Sequence, residues 1–75
     1  MKVTFRKFPR GEVIAIFPDE VADSNFNLLS YQHVGQHGAC SPLLLDELEV
    51  CTAVEIAPLL QELIEIGYEG LEVLE

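Results

Sequence analysis

Residues 2–17 read KVTFRKFPRGEVIAIF, and this stretch decides the fold. Its first half alternates, with Val3 and Phe5 on one side and Lys2, Thr4 and Arg6 on the other, the period-two pattern of a strand with one covered face. Pro9, Arg10 and Gly11 interrupt the alternation; proline supplies a fixed φ and glycine a permissive one, as a chain reversal needs. The second half, Glu12 to Phe17, is a β-branched apolar run with no polar side, which suits a strand covered on both faces. A β-hairpin is expected, with Pro18 ending its second arm.

Beyond the hairpin, DEVADSNFN (19–27) has the Asp, Asn and Ser content of a loop, with Val21 and Phe26 as anchors onto the core. Leu28 to Val34 resumes strand character: Leu29, Tyr31 and His33 share one face, and Ser30, Gln32 and Val34 the other. Gly35 and Gly38 are expected to punctuate a turn around Gln36 and His37. For SPLLLDELEVC (41–51) the Ser-Pro pair suits the start of a short helix, but the alternation from Leu45 to Val50 suits a strand, and a strand is expected.

Thr52 and Glu55 have the T-x-x-E spacing of a capping box, opening a helix in which Ile56, Leu59, Leu60, Leu63 and Ile64 recur at three- and four-residue intervals. Gln61, Glu62 and Glu65 fall on the face expected to meet solvent. Pro58 deletes a backbone bond to Val54, so the helix is either kinked there or begins there. Gly67 is placed to end it in the left-handed conformation, with Tyr68 folding back as the apolar partner. A last strand, Glu69 to Leu74, points Leu71 and Val73 inward and sets Glu69, Glu72 and Glu75 beside the basic first strand. The expectation is a single α+β domain over residues 1–75. It has an antiparallel sheet of three to five strands, in the order β-β-β-(β)-α-β, and one amphipathic helix, Thr52 or Pro58 to Ile66, packed on one face.

Charge narrows the function classes. Thirteen Asp and Glu oppose four Lys and Arg, a net charge of −9, and all four cations, Lys2, Arg6, Lys7 and Arg10, lie in the first ten positions. Such a field repels phosphate backbones and anionic membranes, so neither nucleic acid nor a membrane is an expected partner. It suits a basic protein instead. With 49% apolar residues in only 75, some apolar surface is left over, and its destination is a partner protein or a second copy in a homodimer. Lys2 is followed by alternation rather than a continuous apolar run, which gives a cytoplasmic expectation and reduced thiols at Cys40 and Cys51.

Three stretches carry a resemblance: GEVIAIFP (11–18), YQHVGQH (31–37) and ELIEIGYEGLEV (62–73). They look like a family of small uncharacterised bacterial proteins with a G-x-V-x-A-x-F-P strand, a Y-x-H-x-G-Q-H turn and an EL-x-x-x-GY-x-x-L-x-V ending. The resemblance implies one compact domain and singles out the turn, but brings no activity; Cys40 and Cys51 lie outside its pattern.

That turn holds the candidate site. Tyr31, His33, Gln36 and His37 form a polar patch, read as a recognition surface of a non-enzymatic accessory or protein-interaction module. The alternative is a small zinc-binding protein, because His33, His37, Cys40 and Cys51 are the donor types a tetrahedral zinc site uses. Catalysis by Cys40 needs a thiol pKa lowered by His37 or by a helix beginning at Pro42. A general acid–base role for His33 or His37 is the remaining enzymatic reading.

Overall fold

The computed structural model describes residues 1–33 and 36–74. The expected hairpin is present: β1 (Lys2–Lys7) pairs antiparallel with β2 (Val13–Val21), Phe5 opposite Ala15. β3 (Leu28–Gln32) joins the far side of β2, and β4 (Gln36–Cys40) pairs with β3 at the sheet's edge. β1's other side is shared: antiparallel β5 (Glu49–Val50) takes one end and parallel β6 (Glu72–Leu74) the other. The fold is α+β, as expected, but the described residues form six strands rather than three to five, and β1 with β6 is a parallel pair in an otherwise antiparallel sheet.

β2 is the centre. Ala15 and Phe17 face one core with Val3, Phe5, Tyr31, Leu59 and Leu63, while Ile14 and Ile16 face a second with Leu28 and Cys40. The first is covered by α2 (Ala53–Glu65), which lies over β2. The second is closed by Phe8 and by Leu44, Leu45 and Leu48 around the four-residue α1 (Leu44–Glu47). Apolar side chains on both sides of β2 are what made both layers necessary.

Four expectations are corrected. β2 does not stop at Pro18 but runs to Val21, because the ladder shifts register between Phe17 and Val21 and an irregular step leaves room for a residue with no N–H. Val21 and Phe26 do not anchor the loop and are 59% and 74% exposed. The loop is fastened by Asp23, whose carboxylate accepts from the backbone N–H groups of Asn25 and Asn27, with Phe26 in the left-handed region at φ 62°. Residues 41–51 are not one strand: the Ser41 hydroxyl accepts from the Leu43 N–H, α1 follows, and only Glu49 and Val50 are extended. Val73 is 42% exposed, because β6 lies at the margin of the sheet.

Helix α2 starts at the expected cap. The Thr52 hydroxyl accepts from the Glu55 N–H and the Glu55 carboxylate accepts from the Thr52 N–H. The helix therefore begins before Pro58 and passes through it; Val54, Ala57 and Pro58 are exposed, so water reaches the carbonyl that proline leaves without a donor. At the other end Gly67 adopts φ 116°, its N–H reaches the Ile64 carbonyl, and the Tyr68 N–H reaches that of Leu63. This is the Schellman closure, and Tyr68 folds back to stack on Phe17 at 5.2 Å. Gly35, expected in the turn, lies outside the described residues, as do Val34 and Glu75.

The basic strand is paired, though only in part with its neighbour in the sheet. Lys2 stands opposite Glu72 in register, but its ammonium is 4.0 Å from Asp19. Lys7 reaches up to α2 and donates to Glu55 at 2.7 Å. That bond, followed by the one from the Thr52 N–H, holds the Glu55 carboxyl down from 4.5 to about 2. A carboxyl with a depressed folded pKa contributes stability that is fully present above its unfolded value and is lost as pH falls through the folded one. Lys7→Met is therefore expected to raise the Glu55 titration midpoint, followed by NMR, and to weaken the loss of stability between pH 4.5 and 2. An unchanged midpoint would show that Lys7 does not control Glu55.

Candidate functional site

Tyr31 and His37 stand opposite each other on β3 and β4, on the face that α2 covers. The tyrosine is buried and the histidine exposed, their rings meeting edge to face at 4.7 Å. Tyr68, held above them by the Schellman turn, has its hydroxyl 3.0 Å from His37 Nε2. Which of the two donates depends on the imidazole tautomer. Tyr31, His37, Ile66, Gly67 and Tyr68 line a depression of about 520 Å³.

Beside it lies the feature that the sequence placed wrongly. Glu62, expected to face solvent, is turned inward with only 19% of its side chain exposed. Its carboxylate accepts a hydrogen bond from the Tyr31 hydroxyl, and its other oxygen lies 2.5 Å from His33 Nδ1. Against an ionised carboxylate Nδ1 is the donor. The signal was present in the spacing: Glu55 and Glu62 are seven residues apart, two helical turns, on either side of buried Leu59. Both lie on the flank of α2 that meets the sheet, and both are drawn in by a partner there.

No turn lies at Gln36 to Gly38, where one was expected. Gln36, His37 and Gly38 belong to β4, with Gln36 opposite Gln32 and Gly38 opposite Ser30. Tyr31, His33 and His37 are brought to one side, while Gln36 opens the edge strand, exposed.

The candidate zinc ligands do not assemble. His37 and Cys40 are three residues apart on one strand, and period two sends them to opposite faces, Cys40 into the second core. Cys51 packs against the first core beyond β5, across the sheet from β4. Among the described residues no group of three His, Cys, Asp or Glu side chains is placed to hold a metal ion. The nucleophile reading fails on the same geometry. Burial pushes the Cys40 thiol above its ordinary value, the Ser30 contact opposing this, and α1 begins at Leu44 rather than Pro42. Burial, then the Glu55 charge, pushes Cys51 up as well.

His33 presents an exposed ring with the Glu62 carboxylate behind it. No protein-family model, curated protein or solved structure matches the chain. Three separate parts of the chain meet here: Phe17 from β2, Tyr31, His33 and His37 from β3, the residue after it and β4, and Glu62, Gly67 and Tyr68 from α2 and its closing turn.

Hydrogen bonds to a half-buried charge are stronger than neutral ones, so Tyr31→Phe is expected to cost roughly 1–2 kcal/mol in chemical denaturation. Combined with Glu62→Gln in a double-mutant cycle, it should show a coupling on the order of 1 kcal/mol. Additive losses would mean that the hydroxyl and the carboxylate are not energetically linked.

Proposed function

We propose that this chain is a small acidic, non-enzymatic protein-interaction module that binds its partner at the Tyr31, His33, Gln36 and His37 end of the sheet. The observation that carries the proposal is the depression lined by Tyr31, His37, Ile66, Gly67 and Tyr68, where rings with polar tips surround a concave surface. Aromatic rings beside adaptable hydrogen-bonding groups are what recognition surfaces are enriched in. Exposed Ile64 and Ile66 extend the apolar area along the end of α2. The net charge of −9 favours a basic protein over nucleic acid or an anionic membrane. A second copy of the chain is the competing partner. The cytoplasmic setting and the bacterial family rest on the sequence features given above.

A photo-crosslinking residue placed at Gln36 or His37 is expected to capture a discrete protein adduct in cells, whereas the same residue at Glu20 should not. His37→Ala should abolish the adduct formed from position 36 while lowering the melting temperature little, since His37 is exposed. Equal capture from Glu20, or a large stability loss with capture intact, would return the turn to a purely structural role.

A further inference from the structure

We propose that β4 is a strand-addition site: an extended segment of a basic partner protein pairs with its outer edge, beside which no strand lies among the described residues, and lays an arginine or lysine side chain against His37 and Tyr68. The inference rests on the interaction reading above and names its binding mode and ligand chemistry.

The two edges of the sheet are unequal. One is divided between β5 and β6, of two and three residues, too short to template another strand. The other is β4, five residues in unbroken register with β3. Proteins usually protect such an edge with a charge, a proline, a bulge or a covering segment. QHGAC has no charged residue or proline, its ladder to β3 has no shift, and Gln36 to Ala39 are exposed. Gly38 and Ala39 offer the least side chain to hinder an approaching backbone.

Register then decides where an added residue points. Tyr31 and His37 are opposite partners on the α2 face, so a residue added opposite His37 extends that row. Its side chain arrives at the depression beneath Ile66, Gly67 and Tyr68.

The electrostatics of that spot select a cation. The depression lies at the C-terminal end of α2, where the carbonyls carry partial negative charge, and the last turn holds Glu62 and Glu65 with no basic residue. The chain's own cations are engaged on or beside β1, which two strands separate from β4. Lys2 faces Asp19, Lys7 Glu55 and Arg10 Glu12, while Arg6 donates to the Leu45 and Phe5 carbonyls. Tyr and His rings add cation–π attraction, and the flat guanidinium stacks on them, which favours arginine. A second copy fits less well: its β4 has no cation to offer, and two chains of −9 repel.

The test is an NMR titration of the ¹⁵N-labelled wild-type chain with three capped five-residue peptides. These are Thr-Val-Arg-Val-Thr, its glutamate-centred analogue, and the arginine peptide N-methylated at alternate residues to remove backbone donors. The arginine peptide is expected to shift the Gln36 to Cys40 and Tyr68 amides, and the other two to leave them in place. His37→Lys, at an exposed position, should weaken binding roughly tenfold through like-charge repulsion. No shifts with the arginine peptide, equal shifts with either control, or shifts centred on Val50 and Val73 would overturn the proposal. So would a dimer whose dilution moves the same β4 amides. If crosslinks from position 37 persist when the peptides fail, strand addition is wrong and the interaction role stands; loss of both removes the role itself.

Discussion

A strand with no polar face has to be covered twice. In a chain of 75 residues that demand governs everything else, because β2 runs through the middle with Ala15 and Phe17 on one side and Ile14 and Ile16 on the other. The thirteen-residue α2 closes one face and four residues of α1, with their flanking leucines, close the other. At the sheet's margin β5 and β6 have only two and three residues, and Val50 and Val73 stay exposed there.

Helix α2 is fastened by more than its apolar stripe. Leu59 and Leu63 supply burial, which has no direction, whereas Glu55 and Glu62 each find one partner group, Lys7 on β1 and Tyr31 on β3. Two carboxylates two turns apart, reaching strands on opposite sides of β2, fix the angle at which the helix crosses the sheet. The Lys7 pair, partly exposed, contributes modestly to stability; its effect is on orientation. The Glu62 contact does a second thing, since it sets the ring positions that shape the depression next to it.

What could be read from the residues was whatever local chemistry determines. The hairpin, the two-sided burial of β2, the capping box at Thr52 and the Gly67 closure each depend on a few adjacent side chains, and each was legible. Residues 41–51 were not, because a helix of one turn is too short for its periodicity to differ from alternation. Glu62 was misplaced for another reason: a glutamate on the flank of a helix looks like solvent-facing charge until the strand opposite is known to hold a tyrosine. Of the candidate site, Tyr31, His33 and His37 were legible as a group, while Tyr68 and Glu62 joined it only through tertiary contact. The Cys40 expectation failed because strand geometry, unlike linear spacing, separates neighbours three apart.

The pairing of β6 with β1 closes a long loop. The Met1 ammonium and the Gly70 carbonyl that meet there are 69 positions apart, and the ladder they begin is three residues long and parallel. Closing so large a loop for so few bonds is favourable only where the hairpin and α2 hold the two segments near each other. Opening it leaves Val3 and Phe5 under the helix and bares only a short edge. That edge carries Lys2, a charged residue of the kind that discourages a stray strand from another molecule.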